Sequence, residues 1–242
     1  MNPIRLDQYL VRSGLVSSRE RAGEMIRRGA VKANGVVVDR PGKKFDTEPA
    51  VELLEAPMPW VSRGALKLLA ALDAFSVDVD GRTCLDVGAS TGGFTEVLLE
   101  RGAKKVYALD AGTDQLAERL RMDDRVVSLE QQNIRTAPDD LLGEKVSLVV
   151  VDVSFISLKL ILPELKRFTA PGADVIALVK PQFEVGPAGL NKHGVVKNEK
   201  LQQFALREVV ANAENVGYRV AEPIESPVKG GEGNTEYLIH LK

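Results

Sequence analysis

The sequence predicts an α/β protein in which a small α+β module precedes a large domain built on a mostly parallel, seven-stranded sheet. From residue 81 onward, short apolar strands alternate with helical stretches, a pattern typical of a doubly wound parallel sheet. Residues 4–45 instead contain two short helical segments and a hairpin pattern. Near the end, the glycine-rich loop VKGGEGN joins two apolar segments, so we expect the last strand to run antiparallel.

The composition is that of an ordinary globular protein. Of the 242 residues, 44% are apolar and 27% are charged, which allows a sizeable core. No apolar run approaches the roughly 20 residues of a membrane span, and the opening MNPIRLDQYL lacks the apolar centre of a signal peptide. The single cysteine, Cys84, lies in an apolar run and is expected to be a core residue. These features predict a cytoplasmic protein that is neither secreted nor membrane-spanning.

The net charge of −2 conceals an asymmetry between the two parts. Residues 1–45 carry ten Lys or Arg against four Asp or Glu, a balance of +6, which leaves −8 on the remainder. A basic block on an acidic body suggests one part that holds a polyanion and another that performs chemistry. An ordinary solvated, charged surface is the alternative that charge alone leaves open.

Glycines and a capping pattern predict the two helices of the amino-terminal module. The segment LDQYLVRSG is expected to form a short helix that ends at Gly14. Ser17 and Glu20 have the spacing of a capping box, which predicts a second helix that ends at Gly29.

The faces of the second helix and the segment after it complete the module. Ala22, Met25 and Ile26 have the spacing of a buried stripe. Arg21 and Arg28, seven residues apart, share another face and form a basic patch. In VKANGVVV, apolar residues alternate around Asn-Gly, the strongest short signal for a tight hairpin. The prediction is a helix–helix–hairpin unit with one basic side.

This unit resembles the S4 domain, a small RNA-binding module. RLDQYL, SRERAGEMIRRGAV and the Asn-Gly hairpin match it in order, over residues 4 to about 50. The resemblance implies recognition of structured RNA through phosphate contacts, which position RNA without reading its sequence. The implied contacts are Arg5, Arg19, Arg21, Arg28 and Lys32. We therefore predict an S4-like domain over residues 1–55, a linker over 56–61 and a second domain over 62–242.

The second domain is expected to begin with a helix and to end with a hairpin. VSRGALKLLAAL predicts a helix capped by Ser62, with Leu66, Leu69 and Ala70 facing inward. The predicted strands are TCLDVG, KVYALD, VVSLEQ, VSLVVVD, ADVIALVK, YRVAEPIES and TEYLIHLK, and a long helix is predicted near 197–215. Ligand sites in such sheets lie beyond the carboxyl ends of the strands.

The first strand–helix–strand segment has the pattern of a nucleoside-binding site. Asp86 and Gly88 end a strand, glycines 92 and 93 enter a helix, and Asp110 ends the next strand. Glycines allow a ligand to approach the backbone, and an acid after the second strand can accept hydrogen bonds from ribose hydroxyls. Ser90 stands at the central position of GASTGG, which counts against a dinucleotide.

The same segment is similar to the cofactor loop of S-adenosylmethionine methyltransferases. The resemblance rests on DVGxxxGGF followed by the later acid. It implies S-adenosylmethionine as the cofactor. The implied binding residues are Asp86, Gly88, Ser90, Gly92, Gly93, Phe94, Asp110, Asn133 and Asp152.

Polar residues at two strand ends predict a reaction site. Asp152 ends VSLVVVD and Lys180 ends VIALVK; if these strands are neighbours, their ends lie roughly 5 Å apart. An antiparallel last strand begins at the same edge and brings Glu236 there. Lys67, on the helix before the sheet, can equally be a solvated position.

The set Lys67, Asp152, Lys180 and Glu236 has the K-D-K-E order of the FtsJ-like ribose 2'-O-methyltransferases. With the S4-like module in front, nearly the whole chain resembles the TlyA family, rRNA methyltransferases often labelled hemolysins. VSRGALKL, LDVGASTGGFTEVLLERGA, VDVSFISL and LVKPQFEVG carry this resemblance.

The TlyA resemblance implies a reaction and a set of roles. Lys180 acts on the ribose hydroxyl, and Asp152 and Glu236 orient the lysines. Lys67 either helps to place the ribose or steadies the charge network. The implied partners are ribosomal RNA or ribosomal subunits, and the target is a cytidine. Because this chain ends soon after its last strand, large-subunit 23S RNA is expected, with 16S RNA as the other candidate. A monomer is expected.

Several sequence features keep more than one interpretation. Two carboxylates favour a charged Lys180, whereas burial, Lys67 and the cofactor's positive sulfur favour a neutral amine; we expect bound cofactor and RNA to shift it toward the neutral form. Phe155 and Phe183 either line the cofactor or RNA pocket or pack in the core. The loop QFEVGPAGLNKHGVVKNEK either closes over substrate or is an ordinary surface loop. The two histidines, His193 and His240, are far apart, so no metal is predicted.

Three other functions were weighed against RNA methylation. A hemolysin that lyses membranes directly requires an apolar or amphipathic insertion segment, and the sequence shows none. An RNA-binding protein with an inactive methyltransferase domain conflicts with the intact glycine loop and the four polar residues. A small-molecule methyltransferase leaves the basic module without a purpose.

Overall fold

The computed structural model describes residues 3–16, 18–56 and 58–242. The chain divides into two units, residues 1–59 and 60–242, with the division between Pro59 and Trp60. The first unit has its own apolar core, and the second has a core on each face of its sheet.

In the described part of the first unit there are two helices and five short strands. They are β1 (Ile4–Arg5), α1 (Leu6–Arg12), α2 (Arg19–Arg27), β2 (Val31–Ala33), β3 (Val36–Val37), β4 (Lys44–Phe45) and β5 (Val51–Leu53). β1 pairs with β4, and β2 lies between β3 and β5 in an antiparallel sheet. The predicted hairpin is confirmed, because Asn34 and Gly35 join β2 to β3 with φ angles of 52° and 78°.

The predicted buried stripe of α2 is confirmed, but its start is not. Ala22, Met25 and Ile26 are all buried. The helix begins one residue later than the capping-box pattern predicts, since Ser18 is extended and its hydroxyl accepts a hydrogen bond from Arg21 N at 3.3 Å. Ser17 and the side chain of Glu20 lie outside the described part of the chain.

The second unit contains seven strands and five α-helices. The strands are β6 (Thr83–Val87), β7 (Lys105–Leu109), β8 (Val126–Leu129), β9 (Val146–Val151), β10 (Thr169–Val179), β11 (Ile224–Glu225) and β12 (Tyr237–Leu241). The helices are α3 (Gly64–Phe75), α4 (Gly93–Glu100), α5 (Glu118–Arg121), α6 (Leu162–Leu165) and α7 (Glu199–Asn215). Within the described residues, no helix has both the length and the apolar character needed to cross a membrane.

All seven strands form one sheet in the order β11-β12-β10-β9-β6-β7-β8. β12 runs antiparallel to β10, whereas β10, β9, β6, β7 and β8 run parallel, as the sequence predicts. Val151 of β9 pairs with Val87 on one side and with Ala177 on the other. The strand pattern of the larger unit is therefore confirmed, including the adjacency of the two strands that precede Asp152 and Lys180.

The predicted inward face of α3 is only partly correct, because Leu69 packs against the core but the fully buried positions are others. Ala65, Leu68, Ala71 and Leu72 are buried, whereas Leu66, Leu69 and Ala70 are only partly buried. A shift of one residue rotates a helix face by about 100°, and the observed rotation carries Lys67 inward instead of into solvent. Ser62 lies one residue before the N-cap position, where its hydroxyl accepts a hydrogen bond from Gly64 N at 3.2 Å.

Cys84 lies in β6 and is fully buried, as predicted. Burial raises the pKa of its thiol to about 12, so that the neutral thiol is the stable form. Its side chain is part of the apolar core on one face of the sheet.

Candidate active site

The ion pair between Lys180 and Asp152 lies at the carboxyl edge of the sheet. Lys180 directly follows β10 and Asp152 directly follows β9. The Lys180 Nζ atom is 2.6 Å from Asp152 Oδ1, and the two side chains are 11% and 21% exposed. The predicted contact between these strand ends is present in the structure.

The backbone after Lys180 explains why β10 ends on this residue. Pro181 has no amide hydrogen and begins a short 3₁₀ turn over Pro181–Phe183, so the strand cannot continue. Lys180 itself keeps an extended backbone, with φ −112° and ψ 97°. The lysine is therefore the last extended residue of a buried strand.

A second lysine–carboxylate pair joins α3 to the start of β12. Lys67 Nζ donates a hydrogen bond to Glu236 Oε2 at 2.6 Å, and the side chains are 10% and 2% exposed. Gly230 leaves room for this carboxylate, because a Cβ there would lie 2.0 Å from Glu236 Oε1. Lys67 is not a solvated surface residue; it is the buried partner of a buried acid.

Strand register brings the two pairs to the same edge. Tyr237, the first residue of β12, pairs with Val179, the last residue of β10. Glu236 and Lys180 therefore occupy neighbouring positions just outside these strands. The four residues of the K-D-K-E set meet as two pairs, Lys180 with Asp152 and Lys67 with Glu236.

The loop after β6 is tied to the loop after β7 by Asp110. The Asp110 carboxylate accepts hydrogen bonds from Ser90 N at 2.8 Å and from Gly112 N at 2.7 Å. Ser90 has a left-handed backbone, with φ 47°. Asp110 thus holds the loop after β6 in place, and each carboxylate oxygen retains lone-pair capacity for a further donor.

The glycines of this loop are required by the protein's own packing. A Cβ on Gly88 would lie 2.5 Å from the Asp152 backbone oxygen, and one on Gly93 would lie 2.1 Å from Ser62 Oγ. Gly92 has φ 97° and precedes α4, where a Cβ would meet the Leu120 side chain at 2.3 Å. The glycine pattern that predicts a ligand therefore also fixes how tightly the loop packs against β9, α3 and α5.

Asp86 is fully buried below this loop. It accepts a hydrogen bond from Thr95 Oγ1 at 2.7 Å through Oδ2, and Oδ1 has no hydrogen-bond partner among the described residues. Burial, opposed by the Thr95 hydrogen bond, raises the pKa of Asp86 to about 7. The site thus contains a buried carboxyl group whose charge is sensitive to its surroundings.

Two other predicted cofactor residues differ in their placement. Phe94 is buried and contributes its ring to the core beside Gly64, so its side chain is directed into the protein. Asn133 is exposed, and its Oδ1 accepts a hydrogen bond from Arg135 N at 3.0 Å.

Phe155 is the most exposed large apolar residue among those the structure describes. Its side chain is 91% exposed and its backbone is left-handed, with φ 63°. Its ring lies 5.2 Å from that of Phe183, and Lys180 Nζ lies 5.9 Å from the Phe183 ring. Core packing is therefore excluded for Phe155, and the two rings form an aromatic surface beside the lysine.

Sequence reasoning missed two residues of the loops that follow β9 and β10. Ser154 Oγ lies 3.0 Å from Lys180 Nζ. Glu184 accepts hydrogen bonds from Ser157 Oγ at 2.5 Å and from Leu158 N at 2.8 Å. Burial raises the pKa of Glu184 above its ordinary value, against the opposing effect of these bonds. Both residues lie within the motifs VDVSFISL and KPQFEVG, which were the available signal.

Comparison with known proteins identifies the family of this chain. The FtsJ-like methyltransferase family matches residues 60–242, and the S4 domain matches residues 4–48. The 16S/23S rRNA (cytidine-2'-O)-methyltransferase TlyA of Mycobacterium tuberculosis strain H37Rv is 45% identical over 98% of this chain and 89% of its own length. The chain belongs to the TlyA family.

Other members carry two different names. The 23S rRNA (cytidine-2'-O)-methyltransferase TlyA of Campylobacter jejuni is 33% identical over 96% of this chain and 97% of its own. Hemolysin A of Brachyspira hyodysenteriae is 38% identical over 98% of this chain and 99% of its own length. A solved structure from Streptococcus thermophilus is 44% identical, with a TM-score of 0.79 over 99% of this TlyA-family chain and 88% of that one.

The S4 domain of this TlyA-family chain pairs its predicted RNA-binding cations internally. Arg5 and Arg19 both contact Asp7, at 2.8 and 3.3 Å. The other pairs are Arg28 with Glu55 at 2.9 Å, Lys32 with Glu52 at 3.3 Å, and Arg21 with the Met58 carbonyl oxygen at 3.2 Å. Sequence reasoning identified the cations but not these acidic partners.

The loop after Glu184 is anchored next to the TlyA-family K-D-K-E residues. Asn234, two residues before Glu236, is buried. Its Oδ1 accepts a hydrogen bond from Val196 N at 3.1 Å, and its Nδ2 donates to Gly194 O at 3.2 Å. The 191–196 segment is thereby tied to the strand end that carries Glu236.

Proposed function

We propose that this protein catalyses S-adenosylmethionine-dependent 2'-O-methylation of a cytidine ribose in ribosomal RNA. The observation that carries the proposal is the buried amine of Lys180, held 2.6 Å from Asp152 at the carboxyl edge of the sheet. Ligands of open parallel sheets bind at this edge. A ribose hydroxyl is poorly acidic, and a positioned amine is a group that can take its proton.

The residues of the glycine loop fit S-adenosylmethionine by their chemistry. Asp86 Oδ1 is a buried acceptor with no donor among the described residues, and a cationic ligand group nearby would favour its ionised form. Asp110 follows β7 and has acceptor capacity for ribose hydroxyls. Asp86, Ser90 and Asp110 would hold the cofactor together with the backbone of glycines 88, 92 and 93. When bound, S-adenosylmethionine supplies a methyl group activated by the positive sulfur.

The remaining polar residues act on the RNA. Lys180 Nζ accepts the proton of the 2'-hydroxyl, and Asp152 stabilises the charged amine that results. Lys67 and Glu236 form the adjoining wall, where Lys67 helps to place the target ribose. Phe155 and Phe183 line the RNA pocket, because an exposed aromatic surface beside the reacting group suits an unstacked base.

The S4 domain supports RNA as the substrate. Arg28 and Lys32 pair with the exposed acids Glu55 and Glu52, and such pairs can be exchanged for phosphate contacts. Arg5 and Arg19 are themselves partly exposed, although both contact the buried Asp7. The relatives from M. tuberculosis and C. jejuni are both named for 23S rRNA, and the first also for 16S rRNA. We therefore propose 23S rRNA as the first target and the cytoplasm as the site of action.

Transfer of a tritiated methyl group tests this function directly. Purified protein is given labelled S-adenosylmethionine with intact ribosomes, separated subunits and naked rRNA, and labelled nucleosides are then identified. We expect 2'-O-methylcytidine in 23S rRNA and none with Lys180→Met, while cofactor binding by calorimetry is retained in that variant. Label in no RNA, despite measurable cofactor binding, supports an RNA-binding protein with an inactive methyltransferase domain.

The name of the Brachyspira relative supplies the competing function. Direct membrane lysis needs neither cofactor nor rRNA. Lysis of red cells by purified protein without S-adenosylmethionine, to the same extent with Lys180→Met as with the native protein, supports that alternative and contradicts methylation as the primary activity.

A further inference from the structure

The contacts of the Lys180 amine separate its charge partner from its hydrogen-bond partner. Asp152 Oδ1 approaches Nζ to 2.6 Å, yet the atoms are not aligned as a hydrogen bond, and Oδ1 has no hydrogen-bond donor among the described residues. Nζ does make a hydrogen bond, at 3.0 Å, with Ser154 Oγ. A carboxylate attracts an amine from many directions, whereas a hydrogen bond weakens steeply with misalignment. Among the described residues, Ser154 is therefore the side chain that gives Nζ a directional hydrogen bond.

Ser154 is held in place by a second cross-link between the same two loops. Glu184, four residues after Lys180, accepts hydrogen bonds from Ser157 Oγ and Leu158 N, three and four residues after Ser154. Between these points Phe155 adopts a left-handed backbone, a conformation that costs energy and persists only where the surrounding contacts compensate for it. The loop after β9 is therefore linked to the loop after β10 at two places, by the Ser154–Lys180 contact and by the bonds to Glu184.

The number of directions available at the amine limits what remains for substrate. Nζ is tetrahedral, and its bond to Cε occupies one direction. The hydrogen bond to Ser154 takes a second direction. The Asp152 carboxylate, 2.6 Å from Nζ, blocks a third side of the amine. The amine can rotate about the Cε–Nζ bond only by breaking the Ser154 hydrogen bond. The remaining tetrahedral direction of Nζ, which holds either a lone pair or an N–H, therefore keeps a constant orientation.

We propose that Ser154 is a positioning residue that aims the Lys180 amine at the ribose hydroxyl. This inference rests on the proposed function and concerns the same site. Asp152 supplies the opposite charge, and Ser154 supplies orientation. Loss of orientation at a reacting group can reduce a rate about a hundredfold without weakening binding.

The test compares Ser154→Ala with Ser154→Thr, using native protein and the RNA that it methylates. For Ser154→Ala we expect kcat to fall by about tenfold to a hundredfold, with KM for RNA and the Kd of cofactor within about twofold of native. Ser154→Thr keeps the hydroxyl, so it should recover kcat to within about threefold of native. A loss expressed only in KM, or no recovery with threonine, overturns the proposal.

Ser157→Ala is the matched control. It removes a hydroxyl from the same loop, but that hydroxyl bonds to Glu184, and the bond from Leu158 N to Glu184 remains. We expect a smaller loss of kcat than in Ser154→Ala. Equal losses would mean that both changes act by loosening the loop, which contradicts a specific role for Ser154.

A measurement without turnover separates this inference from the proposed function. Carbon-13 relaxation of the Lys180 Cε, assigned by its absence in Lys180→Met, reports the order of the side chain. We expect this order to fall in Ser154→Ala and to fall less in Ser157→Ala. If native protein methylates no RNA, the proposed function fails, but the relaxation result still decides whether Ser154 holds the amine; unchanged order in Ser154→Ala overturns it.

Discussion

The two lysine–carboxylate pairs have the same chemistry in different environments. Lys67 and Glu236 make a hydrogen-bonded pair, and Glu236 is almost completely enclosed. Lys180 and Asp152 are equally close, but Asp152 is more exposed and the amine directs its hydrogen bond to Ser154. In the first pair the lysine donates its hydrogen bond to the carboxylate. In the second pair Asp152 Oδ1 has no hydrogen-bond donor among the described residues.

This difference indicates a division of labour. A buried ion pair whose members bond to each other holds two elements together, here α3 and the start of β12. Removal of either side chain would leave the other charge buried without a partner, which is costly. A partly open pair can exchange one partner for substrate. Lys180 and Asp152 therefore suit the reaction itself, and Lys67 and Glu236 suit the construction of the wall beside it.

The largest expected effect is on catalysis by Lys180. Replacing it with methionine keeps the length and apolar stem but removes the amine, so we expect methyl transfer to fall by about two to four orders of magnitude. Single-turnover transfer of labelled methyl measures the loss. Lys200→Met, a change of an exposed lysine on α7, is the control and should retain activity. Comparable losses in both variants would contradict a specific role for Lys180.

The Lys67–Glu236 pair should dominate stability. Lys67→Met leaves a buried carboxylate without its cation, and we expect the free energy of unfolding to fall by about 3 to 5 kcal/mol. Denaturant unfolding measures it. Lys67→Met combined with Glu236→Gln should lose less than the sum of the single changes, since no lone charge remains. Asp152→Asn should cost less than Glu236→Gln, because Asp152 is more exposed; the opposite order would remove the distinction between the pairs.

Asp86 provides a buried carboxyl group without a lysine partner. Its native pKa of about 7 lies above the ordinary value of 3.8, so between these values the native state binds more protons than the unfolded state. The contribution of Asp86 to the free energy of unfolding is fully present below about pH 4 and is lost as the pH rises through about 7. The total loss is up to about 4 kcal/mol. Asp86→Asn should reduce this pH dependence of unfolding and stabilise the protein above pH 7. An unchanged slope would show that Asp86 ionises normally.

The exposed pairs of the S4 domain should have the smallest effect on stability. Arg28→Gln or Glu55→Gln is expected to change the free energy of unfolding by less than about 1 kcal/mol. The two variants should differ in RNA binding, weaker for Arg28→Gln and stronger for Glu55→Gln, with a smaller salt dependence only in the first. Titrations with rRNA fragments at two salt concentrations measure this. Equal affinities would place the phosphate contacts elsewhere on the domain.

Much of the fold could be predicted from local patterns. Strand alternation, the Asn-Gly hairpin and the glycine-rich loop before β12 each depend on neighbouring residues. The sequence therefore predicted the parallel sheet, its antiparallel last strand and the hairpin of the amino-terminal module. Predictions that depended on one residue of helix phase were less secure. The buried face of α3 was shifted by one position, because tertiary packing decides which of two adjacent faces is buried. The start of α2 was shifted by one position for a local reason, since Ser18 caps the helix.

The sequence by itself determined which residues reach the carboxyl edge, since strand ends follow from hydrophobic runs and from Pro181. Only the tertiary structure decided how they are partnered. It joined Lys67 to Glu236 across 169 residues, placed Ser154 against Lys180, and left Phe155 in solvent. The physical reason is that a strand's direction is a local property, whereas the partner of a charge depends on side chains brought together by strand register and helix rotation.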